Sequence, residues 1–221
     1  AGWQKGRELN YLNGNSYTYD GQGKRITRNG TVFTYDGEGN LVRQSDGLEF
    51  IYDNTGVIGV KHQSGNSTKE YIYRKDVQGN IIALLDNEYK VVVKYTYDAW
   101  GNCLVQDANG VKITDPEHIG RKNPFRYRGY YYDDVTGLYY LQTRYYDPQI
   151  GRFINIDDRS YLDTDTINGL NLYAYCNNNP VMGYDPEGTL NWWQKLLIGV
   201  AFIVVGAAVT ALTGGSFLGA L

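Results

Sequence analysis

At 221 residues the chain has the length of one or two domains, and its net charge of −3, with acids and bases interspersed, offers no basic surface for nucleic acid. It holds 22 Tyr and 27 Gly against 5 Pro, 1 Met and 2 His, which points away from an ordinary globule and leaves most general-base chemistry without its usual side chain. Cys103 and Cys176 form neither a CxxC pair nor a ligand spacing; one disulfide is arithmetically open, two free thiols are the expectation, and no metal site or cofactor is implied.

The first ten residues are polar and carry no signal peptide, and the chain begins in mid-repeat, so it reads as the C-terminal piece of a longer protein. Tyr17-Thr18-Tyr19-Asp20-Gly21-Gln22-Gly23 recurs as Phe33-Thr34-Tyr35-Asp36-Gly37-Glu38-Gly39 and as Phe50-Ile51-Tyr52-Asp53-Asn54-Thr55-Gly56. It returns as Tyr71-Ile72-Tyr73 followed by Asp76 and Gly79, then as Tyr95-Thr96-Tyr97-Asp98-Ala99-Trp100-Gly101. The repeated Tyr stands at 19, 35, 52, 73 and 97, an irregular period of 16 to 24 residues over roughly 10–105. Alternating aromatic and polar residues predict a strand with one buried face. Asp at the strand end can accept backbone N–H groups two residues on, and the following Gly supplies a positive φ. Each unit is therefore a β-hairpin, and because a lone hairpin cannot bury its own face the units must stack side by side.

Residues 106–124 break the pattern and read as a surface loop, with His118, like His62, a solvated residue and not a ligand. Tyr density then peaks between Phe125 and Phe153, around turns at Asp133 to Gly137 and at Asp147 to Gly151. The rings could serve as carbohydrate platforms with Arg126, Arg128 and Arg144 as polar partners. The favoured reading is structural: the rings pack the end of the sheet, and the arginines stack on them or pair with Asp133 and Asp147.

The Tyr-Asp units resemble YD repeats. The run Phe125-Arg126-Tyr127-Arg128-Gly129-Tyr130-Tyr131-Tyr132-Asp133, Thr136-Gly137-Leu138-Tyr139-Tyr140-Leu141, Arg144-Tyr145-Tyr146-Asp147-Pro148 and Gly151-Arg152-Phe153-Ile154-Asn155-Ile156-Asp157 resembles the RHS repeat-associated core domain of RHS and teneurin-type YD-shell proteins. The resemblance implies a mainly β fold, with hairpins stacked into an extended spiralling sheet that forms part of a shell. It divides the chain into YD repeats and a terminal loop (1–124), the core domain (125–190), and an apolar segment (191–221) that is either a transmembrane helix or the start of a variable toxin region.

The stretch Asn171-Leu172-Tyr173-Ala174-Tyr175, then Asn179-Pro180-Val181, then Asp185-Pro186-Glu187-Gly188 resembles the end of that core. In the family this element is an intramolecular aspartyl protease cutting just after Asp-Pro-x-Gly-Leu. Two carboxylates must lie close enough to share a proton, one as base for water and one as acid for the carbonyl. The resemblance maps the pair onto Asp157 and Asp185, with Arg152 as the arginine that orients them and Gly188, Thr189 and Leu190 as the cleavage region. Here Thr189 replaces the family's Leu, which puts cleavage in question, and Asp158 replaces the Pro usual after the first aspartate. The alternative is a core that folds without cutting, its aspartates capping turns.

After Trp192, Trp193 and Lys195, which read as interfacial anchors, residues 196–221 carry no charge and satisfy the length criterion for a membrane span. A hydrophobic linker held inside a shell is the soluble alternative. The leading expectation is the end of an RHS shell that encapsulates or presents a C-terminal toxin or effector domain in competition between cells or at the cell surface. The partners would be that domain, an immunity protein and, through 196–221, a membrane; the location would be secreted or cell-surface. Two alternatives stand beside it: an autoprotease, the single enzymatic activity the sequence suggests, and a cell-surface module binding carbohydrate or a partner.

Overall fold

The computed structural model describes residues 1–5, 8–156, 171–181, 183, 185 and 188. Twelve strands follow one another in an antiparallel meander, each hydrogen-bonded to its neighbours in sequence. They are β1 (Gly2–Gln4), β2 (Glu8–Leu12), β3 (Asn15–Tyr19), β4 (Arg25–Arg28), β5 (Thr31–Tyr35) and β6 (Leu41–Gln44). Then come β7 (Leu48–Asp53), β8 (Gly56–Ser64), β9 (Ser67–Lys75), β10 (Ile81–Leu85), β11 (Val91–Tyr97) and β12 (Cys103–Asp107). A single helical turn, α1 (Ile119–Lys122), leads to a second sheet of β13 (Tyr131–Asp133), β14 (Leu138–Tyr140), β15 (Tyr145–Asp147) and β16 (Arg152–Phe153). The mainly β architecture of stacked hairpins is thus the one expected; the apolar segment 191–221 lies outside the described residues.

The turns form as the local chemistry dictates. One carboxylate oxygen of Asp20 accepts from the amides of Gln22 and Lys24, and Asp36, Asp76 and Asp98 repeat this with their own second and fourth successors. The fourth residue of these turns is Gly23, Gly39, Gly79 or Gly101, at φ between 82° and 92°. Two further turns of the same design sit at Asp86 and Asp107. The Asp86 turn lacks the Gly cue in sequence, because Tyr89 occupies the left-handed position at φ 61°. The carboxyls of Asp20 and Asp36 lie below the ordinary Asp range, held there chiefly by hydrogen bonds to the Lys24 amide and the Asn40 side chain respectively.

The repeated tyrosines join one hairpin to the next. A register shift immediately precedes Tyr19, Tyr35 and Tyr52 in their strands. Each hydroxyl donates to a backbone carbonyl in the strand before it: Tyr19 to Leu9 (3.0 Å), Tyr35 to Arg25 (2.6 Å), Tyr52 to Leu41 (3.0 Å) and Tyr97 to Ile81 (2.7 Å). Tyr73, whose Asp follows three residues later, donates instead to Asn123 Oδ1 at 2.6 Å.

Residues 106–124 are more ordered in their packing than a surface loop. After the Asp107 turn the chain buries Ile113, Ile119 and Asn123 against the sheet. His118 caps α1, its Nδ1 accepting from the Gly120 amide at 3.1 Å. A Cβ at Gly120 would come within 2.9 Å of a Val93 methyl, so a larger residue there would have to displace β11 side chains.

The second sheet is buried on both faces. Tyr131, Leu138, Tyr140 and Tyr145 pack with Tyr17, Phe33, Phe50, Val60, Tyr73 and Val93 of the large sheet in one core, while Tyr139, Tyr146 and Phe153 face the other way into a second. At the centre of the first core Arg25 is 1 % exposed and its guanidinium lies 4.3–5.9 Å from the centroids of Tyr17, Phe33, Tyr131, Tyr140 and Tyr145. It donates to Asp133 at 2.5 Å, and Arg28 holds the other oxygen of the same carboxylate at 2.8 Å. Asp133 therefore pairs with arginines of β4, not with those of the Tyr-rich run.

Two stability outcomes follow. Tyr89, 70 % exposed, loses little packing on replacement, so Tyr89→Gly should stabilise by about 0.5 kcal/mol: relief of a left-handed residue, about 1–2 kcal/mol, set against the entropy of an added glycine. Asp133→Asn leaves two arginines beside an uncharged amide and should cost about 3–5 kcal/mol. Denaturant midpoints for the two variants and wild type check both.

Candidate active site

The second core is built on tyrosines whose rings pack and whose hydroxyls find fixed acceptors. Tyr127, Tyr146 and Tyr139 donate to the successive carbonyls of Ala99, Trp100 and Gly101 at 2.9, 2.7 and 2.8 Å. The last YD turn is thereby docked on the second sheet, with no room for a side chain at Gly101 or Gly151. A Cβ on Gly101 would lie 2.7 Å from the Tyr127 ring, and one on Gly151 the same distance from Trp100.

Residues 171–181 cover this core. Tyr175 is fully buried and stacks 4.2 Å from Tyr146, and its hydroxyl shares a 3.1 Å hydrogen bond with that of Tyr130. The Tyr130 hydroxyl oxygen also accepts from the Asp185 amide at 3.2 Å. Arg128 donates to the Pro180 carbonyl at 2.5 Å, and Gln78 to that of Val181 at 3.3 Å, so the cover is tied to the repeats as well.

Asp185 is 0 % exposed. Its carboxylate receives Arg144 Nη2 at 3.3 Å, while Arg144 Nη1 donates to the Leu172 carbonyl at 3.2 Å and Nε donates to the carbonyl of Gly188. The same guanidinium lies over Phe153, 3.5 Å from the ring centroid. One arginine thus grips the buried acid, the polypeptide three residues beyond it and the cover segment together. Such a cation polarises the carbonyl it touches.

The other predicted site residues fall as follows. Asp157, Thr189 and Leu190 lie outside the described residues, as do Trp192, Trp193 and Lys195. Arg152 is exposed on β16, paired through its backbone with Asp147. The described arginine at Asp185 is Arg144, which the sequence suggested as a stacking residue, a partner of Asp133 or Asp147, or a polar group of a carbohydrate site, but not as the partner of Asp185. Arg126, Arg128 and Arg144 do stack on aromatic rings, those of Tyr132, Tyr127 and Phe153. Their polar partners are Asp134, the Pro180 carbonyl and Asp185; Asp147 caps its own turn through the Gln149 amide. With Tyr130, Tyr131, Tyr139 and Tyr140 buried, those rings form no open carbohydrate platform.

Cys103 and Cys176 are not joined in a disulfide, and burial pushes the Cys103 thiol up to about 11. Among the described residues no group of His, Cys, Asp and Glu is arranged to hold a metal, and no helix is long and apolar enough to cross a membrane.

A meander of Asp-capped hairpins clamped by a Tyr-rich second sheet defines a YD-shell segment. The family model of the teneurin YD-shell matches residues 4–116 and 75–181, and the chain belongs to that family. It is 37 % identical over 198 residues to the tRNA nuclease WapA of Bacillus subtilis (strain 168), a match that covers 85 % of this chain and 8 % of that protein. Toxin protein Tse5 of Pseudomonas aeruginosa is 35 % identical over 92 residues, 42 % of this chain and 6 % of Tse5. The crystal structure of the TcdB2-TccC3-Cdc42 complex shares the fold at a TM-score of 0.56 and 23 % identity, over 84 % of this chain and 9 % of that one. The chain therefore spans less than a tenth of the length of each of these three relatives.

The tyrosine packing sets an alkaline limit to stability. Burial pushes Tyr17 and Tyr140 up to about 12, and their neighbours Tyr139, Tyr145 and Tyr175 in the two cores higher still. An unfolded Tyr ionises near 10, so above that pH the unfolded chain releases protons that the native chain keeps. The stabilisation is complete below pH 10 and falls away between about 10 and 12. Urea midpoints from pH 8 to 11.5 should be level at first and then drop steeply.

Proposed function

We propose that this chain is the end of an RHS/YD shell that encloses or presents a variable C-terminal effector domain, in competition between cells or at the cell surface. The observation that carries the reading is the seating of the chain after the repeats. The second sheet fills the aromatic face of the repeat sheet, and the polypeptide is gripped at Gly188 by Arg144 in the adjoining core. Whatever follows Gly188 then starts from a fixed anchor on the shell. The toxin and nuclease names of the relatives fit such an arrangement, and the partners would be the effector domain itself and an immunity protein. Residues 196–221, with Trp192, Trp193 and Lys195 before them, would bring the released or presented domain to a membrane. Limited proteolysis of the full-length protein that carries this chain checks enclosure. The downstream domain should resist added protease in wild type and become cleavable in Asp133→Asn; equal susceptibility in both would sink the idea.

A second reading, self-processing, draws on Arg144, Asp185 and Gly188. In it Asp157 and Asp185 share a proton: the ionised partner takes a proton from water as the water attacks the scissile carbonyl, and the protonated partner donates to that carbonyl's oxygen. Collapse of the tetrahedral intermediate then returns that proton and breaks the C–N bond, and the amine leaves with the proton taken from water. Arg144 holds Asp185 and the chain beside the scissile bond in place. Intact-mass analysis should find a product ending at Gly188, Thr189 or Leu190, lost in both Asp157→Asn and Asp185→Asn. An uncut wild-type chain would leave a scaffold alone.

A further inference from the structure

The hairpin between β14 and β15 breaks a local rule. It is closed by the Leu141 amide donating to the Arg144 carbonyl at 2.9 Å, which leaves Gln142 and Thr143 as its two-residue tip. The Thr143 amide also donates back to the Leu141 carbonyl at 2.7 Å, and Gln142 stands at φ 61°. A two-residue hairpin tip ordinarily reserves that conformation for Gly, Asn or Asp, because a side chain with a Cβ is strained there. Packing does not impose it: Gln142 is exposed and borders a cavity of about 470 Å³ on one side and one of about 380 Å³ on the other.

What holds the tip is Asn155. Its side-chain oxygen accepts from the Tyr145 amide at 2.9 Å, and its Nδ2 donates to the Thr143 carbonyl at 3.5 Å. On the other flank the tip meets Gly188. A Cβ there would lie 3.0 Å from Thr143 Oγ1 and 3.2 Å from the Leu141 carbonyl oxygen, and Gly188 itself is at φ 71°. The hairpin therefore touches the residue two before Asp157 and the residue three after Asp185. Strain kept at such a junction calls for a role beyond packing.

We infer that Thr143, held by the strained tip, is a positioning residue that sets the seat of Gly188 and, through Arg144, of Asp185. The seat is a property of the fold; its use in cutting rests on the self-processing reading above. Deuterium uptake over residues 183–188, measured on the full-length protein, reads the seat without reference to cleavage, and intact mass reads cleavage beside it. Thr143→Val should raise uptake about three- to tenfold and slow cleavage by a similar factor, and Thr143→Ser should restore both. Gln142→Gly suits φ 61° and relieves the left-handed strain as at Tyr89, so it should leave uptake at or below the wild-type level and serves as the control that the tip itself is intact. Unchanged uptake in Thr143→Val, or no recovery in Thr143→Ser, overturns the inference even where wild type cuts itself. An uncut wild type with the expected uptake pattern removes the self-processing reading and leaves the seat standing.

Discussion

The structure depends on one buried pair, Arg25 with Asp133. The two come from different sheets, 108 residues apart in the chain, and both are sealed from solvent. Taking two such charges out of water costs several kcal/mol each. The cost is offset because the carboxylate also takes Arg28, and the guanidinium faces five aromatic rings whose π-faces favour a cation. An apolar pair of similar volume would pack there as well, but it would not dictate how β13 lies across β4. The ion pair ties β13 to β4 at the point where Tyr131, Tyr140 and Tyr145 of the second sheet gather round the guanidinium.

Tyrosine is used where phenylalanine would fill the same space. In the repeats its ring covers the sheet while its hydroxyl satisfies a carbonyl of the preceding strand, so one side chain supplies both burial and a specific link. The same division of labour docks the last YD turn, where three hydroxyls meet three successive carbonyls. A core of this kind is demanding: each buried hydroxyl left without its acceptor would cost more than the bond contributes. That favours one arrangement of the two sheets over near neighbours.

This rigidity is what the end of the chain relies on. Arg144 lies over Phe153, itself packed on Tyr146 and Tyr175, so the guanidinium that grips Asp185 and Gly188 rests on the same tyrosine core. The strained tip at Gln142 stands between two cavities and against Gly188. Order in the core and strain at its margin meet where the polypeptide leaves the shell.

The sequence by itself determined the hairpins. Asp, its amide partners and the left-handed Gly all lie within five residues, so the turns at Asp20, Asp36, Asp76 and Asp98 were legible from local chemistry. The Asp86 turn was not, because Tyr89 stands where the Gly cue belongs. Resemblance to the RHS core drew attention to Asp185 and Gly188 but not to the guanidinium between them. Tertiary structure alone decided that Asp133 answers to Arg25, that Arg144 reaches Asp185 across 41 residues, and that Asn155 and Gly188 meet one hairpin. The physical reason is range. A turn is closed by atoms that the backbone already holds together, whereas the partner of a buried charge is set by how two sheets pack.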